Sequence, residues 1–131
     1  MTTEYNILVI DDTVAILMML KLILERKGYK VTVREKTDGL EQLVDDLSPD
    51  LIIMDVLLSG VDGRDVCTAF RKFKRFDHIP VIMISALDDA EVGCMVAGAQ
   101  FFLSKPFEMD KFYQTVTASL AFNLDYKKVG L

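Results

Sequence analysis

Leu51-Ile52-Ile53-Met54-Asp55 is the stretch that most constrains what this chain can become. Four consecutive apolar residues are too few for a helix of ordinary length, and they lie between the turn-forming Ser48-Pro49-Asp50 and the loop at Ser59-Gly60. The run therefore reads as a strand buried on both faces, the kind found at the centre of a parallel sheet. It stops at a carboxylate. Ligands of open parallel sheets gather beyond the carboxyl ends of the strands, so Asp55 stands where chemistry would be done.

Four further segments follow the same grammar. Tyr5 to Ile10 is apolar and ends at the acidic pair Asp11-Asp12, and Lys30 to Arg34 alternates polar and apolar as a sheet edge does. Val81 to Ile84 reads as doubly buried and ends at Ser85, and Phe101 to Leu103 ends near Ser104-Lys105-Pro106. Between them the spacing predicts helices over Thr13 to Lys27, closed by Gly28, and over Asp38, as cap, to Leu47. Three more are expected from Asp62-Gly63 onward with Val66, Phe70 and Phe73 inward, from Asp88 to Ala97, and from Glu108 into the Leu120 region. Five strands alternating with five helices predict the α/β class, a doubly wound parallel sheet with helices on both faces.

A chain of 131 residues accommodates one domain. We place it at residues 1–124, with 125–131 a tail or the start of a linker. A formal net charge of −5 argues against counterion-releasing contacts with nucleic acid, so no direct nucleic-acid partner is expected. Met1 to Tyr5 lacks the basic start of a signal peptide, and no run approaches the roughly 18 apolar residues that span a bilayer. The expectation is a cytoplasmic protein without membrane contact. Cys67 and Cys94 lie far apart and read as small buried hydrophobes.

If the strands are parallel, Asp11, Asp12, Asp55, Ser85 and Lys105 converge on one edge of the sheet. An acidic pair alone fits a helix cap; joined to a third acid and a lysine it implies more. Carboxylates about 4 Å apart at an effective dielectric near 20 repel by roughly 4 kcal/mol per pair, a cost that a hard divalent cation removes. Lysine adds a point charge suited to phosphate. These parts together describe phosphoryl transfer onto an aspartate.

At this point the chain resembles the receiver domains of bacterial two-component response regulators. The resemblance is carried by Asp11-Asp12, Asp55 followed by Asp62-Gly63, Ser85-Ala86, Gly98-Ala99, Phe102 and Lys105-Pro106-Phe107, in that order. It implies a flavodoxin-like sheet of order 2-1-3-4-5, with Asp55 as phospho-acceptor and magnesium (or manganese) held by Asp11, Asp12, Asp55 and the backbone carbonyl of Leu57. Lys105 would contact the phosphate, positioned by a cis bond before Pro106, while Ser85 and Phe102 would act as the switch pair. The implied partners are a histidine kinase or histidine phosphotransfer protein as donor, and a downstream protein target or a second copy at the surface of the fourth helix, fifth strand and fifth helix. No output domain is expected within the chain, which reads as a stand-alone regulator or an excised receiver.

One residue departs from the family pattern. Ser59 stands where the family usually carries a proline, which implies a looser loop. The resemblance also implies that Leu57 and Leu87 occupy the two positions that flank the approach of hydrolytic water; neither side chain can orient a water molecule, so a slow loss of phosphate is expected. On the first helix, Ile16, Met19, Leu20 and Ile23 are expected to face the sheet, leaving Leu17, Met18 and Leu22 either as partly covered core or, as the resemblance implies for this helix, as a docking patch for the donor. Two rivals are a magnesium-dependent aspartyl phosphohydrolase, which would want a second acid where Leu57 stands, and a flavin carrier, whose phosphate Asp11-Asp12 would repel.

Overall fold

The computed structural model describes residues 4–87 and 89–128. Five parallel strands form one sheet: β1 (Asn6–Ile10), β2 (Lys30–Arg34), β3 (Leu51–Asp55), β4 (Val81–Ser85) and β5 (Phe101–Ser104). They lie in the order β2-β1-β3-β4-β5, the doubly wound, flavodoxin-like arrangement expected from the sequence. Every residue of β3 and β4 is buried, which is why both read as unbroken apolar runs.

The helices are α1 (Val14–Glu25), α2 (Leu40–Leu47), α3 (Gly63–Phe70), α4 (Ala90–Val96) and α5 (Met109–Lys128). They divide between the two faces. Leu17, Leu20 and Leu24 of α1 pack with Phe112, Val116 and Leu120 of α5 on one side. Val44 of α2, Cys67 and Phe70 of α3, and Ala90 and Cys94 of α4 fill the other. Both cysteines are buried free thiols, as expected.

The register fixes the functional edge. Ile10 lies beside Met54, Asp55 beside Ile84, and Ser85 beside Ser104. The residues at or just past those ends, Asp11, Asp55, Ser85 and Lys105, therefore emerge together by geometry alone.

Several local expectations are corrected. Asp38 does not cap α2; the cap position falls to Gly39, whose φ of +69° turns the chain into the helix without a side-chain bond. Phe73 lies beyond α3, where the chain enters a short 3₁₀ turn at Lys74–Phe76, while Cys67 takes a buried place on the helix. The start placed at Asp88 lies outside the described residues, and α4 begins at Ala90. Helix α5 runs to Lys128, through part of the segment assigned to a tail, and Val129 to Leu131 lie outside the described residues.

An antiparallel ribbon, Leu57–Leu58 with Val61–Asp62, was not anticipated. Its two-residue turn is Ser59-Gly60, and the positive φ of +70° falls on the glycine.

Candidate functional site

Asp55 is the last residue of β3 and is 7% exposed, with Asp11 at 3% just past β1. The N–H of Leu57 donates to Asp55 Oδ1 at 2.8 Å, and Lys105 Nζ pairs directly with Oδ2 of the same carboxylate. Lys105 Nζ also stands 3.6 Å from Asp11 Oδ2, while the N–H of Thr13 donates to Asp11 Oδ1 at 2.9 Å. Lys105 reaches this position across a cis peptide bond to Pro106, with its own N–H on the Ser85 carbonyl at 2.8 Å.

The electrostatics follow from two buried acids sharing one ammonium. Burial, reinforced by the neighbouring Asp55, holds the Asp11 carboxyl above its ordinary range against the opposing bond from Thr13. Burial acts to lower the Lys105 pKa, but Asp55 and then Asp11 outweigh it and leave the ammonium firmly protonated. With both acids ionised, two carboxylates share one ammonium and one negative charge is left uncompensated, a setting suited to a further cation.

Asp12 stands apart. It is exposed, and its Oδ2 accepts from the Ser59 hydroxyl at 3.0 Å rather than facing Lys105. Among the described residues no three acidic, histidine or cysteine side chains converge to hold a cation by themselves. Magnesium does not require that; it typically takes one or two carboxylates and keeps several waters. The donor set of hard carboxylate oxygens beside an uncompensated charge fits such an ion.

Ser85 is buried at the end of β4, and its Oγ accepts the N–H of Leu87 at 3.0 Å. Phe102, on β5, is half-buried and packs at the margin of the core between the sheet and α2 to α4. Leu57 and Leu87 sit on the rim, 55% and 37% exposed.

The patch on α1 differs from expectation. Leu17 is 2% exposed and belongs to the core, whereas Met19 is turned outward. The inward set is Leu17, Leu20 and Leu24, spaced three and four apart, which rotates the helix relative to the expected frame. Val14, Met18, Met19 and Leu22 form the exposed apolar surface.

The structural roles of two residues near the site, Gly63 and Ser59, lie beyond the sequence reading, which names Gly63 only in the family pattern and at the start of a helix. A Cβ on Gly63 would lie 2.4 Å from the Asp55 carbonyl oxygen, so the start of α3 can close on the acceptor strand only because it has no side chain. The bond from the Ser59 hydroxyl to Asp12 is the second; that position drew notice only as a departure from the family pattern.

Residues 7–117 match the response regulator receiver domain. The chain belongs to this family. Its relatives include the DNA-binding dual master transcriptional regulator RpaA of Synechocystis sp., 37% identical over 119 residues that cover 88% of this chain and 48% of RpaA. The DNA-binding response regulator MtrA of Mycobacterium tuberculosis is 33% identical, over 95% of this chain and 54% of MtrA. The receiver thus spans about half the length of the curated relatives it matches. Among solved structures, a putative response regulator from Chloroflexus aurantiacus superposes with a TM-score of 0.85 at 30% identity, covering 91% of this chain and 99% of that one.

Membership makes the chain a receiver domain of a two-component signalling protein and decides against the phosphohydrolase and flavin-carrier readings. Among the described residues no helix is long and apolar enough to cross a membrane.

Proposed function

We propose that Asp55 accepts a phosphoryl group from a phosphohistidine on a kinase or phosphotransfer protein, and that the resulting charge reshapes the surface of α4, β5 and α5. The observation that carries this reading is the direct pairing of Lys105 with a buried Asp55, with Asp11 adjoining.

An Asp55 oxygen forms the new O–P bond as the donor's P–N bond breaks, the electron pair leaving with the imidazole. The Leu57 N–H holds Asp55 Oδ1 and so orients the carboxylate for in-line attack. Lys105 passes from the carboxylate to the phosphoryl oxygens and stabilises the charge gathering on them. Asp11, Asp12, Asp55 and the Leu57 carbonyl would hold magnesium, or manganese, which neutralises phosphoryl oxygens when bound.

Phosphorylation then biases the fold. The Ser85 hydroxyl leaves the Leu87 N–H for a phosphoryl oxygen, and Phe102 turns into the space vacated. Val92, Met95 and Val96 of α4 and Phe122 of α5 give the affected surface exposed apolar groups for a downstream protein or a second copy of the receiver. No direct contact of this domain with nucleic acid or membrane enters the reading, and it acts in the cytoplasm.

Loss of phosphate is slow, because Leu57 and Leu87 shield the rim without a group to orient water. The test is incubation with acetyl phosphate, with magnesium or with excess EDTA. Phosphoprotein that forms only with the metal and then decays over minutes or longer supports the reading. Formation in EDTA, or decay within seconds in magnesium, contradicts it.

A further inference from the structure

Helix α4 is closed at one end and open at the other. At its C-terminus Gly98, with a φ of +110°, donates its N–H to the Met95 carbonyl at 3.1 Å, and Ala99 donates to the Cys94 carbonyl at 3.0 Å. These are the paired bonds that finish a helix around a left-handed residue. The Gly98 carbonyl in turn accepts from Arg71 Nε at 3.0 Å, and a Cβ on Gly98 would lie 2.5 Å from Arg71 Cγ, so the junction is packed as well as bonded. The same guanidinium donates to the carbonyls of Phe76 and Ile79 and to Gln100 Oε1, which ties this end of α4 to the loop before β4.

The acceptor end has no such closure. Asp89, at the cap position, makes no side-chain bond to the helix, and the Ala90 N–H reaches the Leu87 carbonyl only at 3.4 Å. Glu91 suits the helix dipole there but closes no backbone group. Within its seven residues α4 buries only the small side chains of Ala90 and Cys94, leaves Val92, Met95 and Val96 exposed, and carries Gly93 at its centre. Little apolar burial and a mid-helix glycine both leave the helical state weakly favoured.

From this asymmetry we infer that α4 is a local unfolding unit: its first turn, Ala90 to Gly93, unwinds from the acceptor side while the sheet stays folded, and Arg71 sets the stop at Gly98. The opening belongs to the unphosphorylated fold and does not depend on the acceptor role proposed for Asp55. Its use in signalling does rest on that role. The free end is the one joined to Ser85 and Leu87, so a change at the site passes into the exposed apolar face of α4 and ends at the pinned junction.

The experiment is native-state amide hydrogen exchange of the unphosphorylated protein, with the β3 amides of Ile52 to Met54 as the measure of global unfolding. Unwinding of Ala90 to Gly93 removes the helical acceptors of the Cys94 to Ala97 amides, whereas Gly98, Ala99 and Gln100 donate to Met95, Cys94 and Val81 and keep theirs. Amides 94–97 should therefore be about ten-fold or more less protected than 98–100. Gly93→Ala, whose Cβ would make ordinary contact with Arg64 at 3.4 Å, should raise protection at 94–97 about two- to five-fold and leave 98–100 as in the parent. Arg71→Met, read relative to β3 so that lost global stability cancels, should bring 98–100 down to the protection of 94–97. Equal protection across 94–100 in the parent overturns the inference, as does a Gly93→Ala protein whose 94–97 amides exchange as fast as the parent's. A folded Arg71→Met protein that keeps 98–100 protected removes Arg71 as the stop and so contradicts it too.

Discussion

Gly63 shows how closely the acceptor is packed. An added Cβ would lie 2.4 Å from the Asp55 carbonyl and 3.0 Å from the Met83 methyl, so Gly63→Ala must push α3 away from β3. Overpacking of this kind costs about 1–3 kcal/mol, and urea unfolding should report a loss in that range. Beside it, Asp62 caps α3 through the Arg64 N–H at 2.8 Å and pairs with the Arg64 guanidinium, which holds the Asp62 carboxyl below its ordinary range. A lowered carboxylate pKa stabilises the fold above the unfolded value of about 3.9 and loses that contribution as pH falls through the folded value. The pair is about a third exposed, so Asp62→Asn should cost only about 0.5 kcal/mol near neutrality and nothing in strong acid. An equal cost at both pH values would contradict the electrostatic account.

At the scale of elements, α4 is anchored at the end remote from the acceptor. Arg71, just past α3, donates to the carbonyls of Gly98, Phe76 and Ile79 and to Gln100 Oε1, at 2.7 to 3.0 Å. It thereby ties the α4–β5 junction to the loop before β4. Arg71→Met strands those acceptors and should cost about 3 kcal/mol. Amide exchange should show the loosening concentrated at residues 97–100; uniform loosening would argue against an anchor. Helix α1 carries a different prediction: polar replacement of Met18 and Leu22 should slow transfer from a phosphohistidine protein several-fold while leaving acetyl phosphate reactive. Equal loss with both donors would remove the docking role. The elements also show what a sequence can disclose. Strands β3 and β4 were legible because burial on both faces leaves an unbroken apolar run ending at a polar residue. The facing of α1 was not, because within VAILMMLKLILE only Lys21 and Glu25 are polar and the helical period has almost nothing to mark it. Arg71 was hidden in the basic run Arg71-Lys72-Phe73-Lys74-Arg75, where no local signal separates a half-buried anchor from a solvated charge.

In the whole molecule, register converts short local signals into one site. Parallel pairing of β1, β3, β4 and β5 brings Asp11, Asp55, Ser85 and Lys105 to a common edge, and this much followed from strand ends alone. The outward turn of Asp12 toward Ser59 did not, since it depends on where a two-residue turn lands after the chain has folded. The remainder of the molecule supports the edge: a core on each face fixes the sheet, and the exposed apolar groups lie on α1, on the site's rim and on the α4 and α5 surfaces. The account stands on Asp55 as the phosphoryl acceptor. Intact-mass analysis after acetyl phosphate and magnesium tests this directly: the parent should gain the mass of one phosphoryl group and Asp55→Ala none, whereas equal uptake by the two proteins would contradict it.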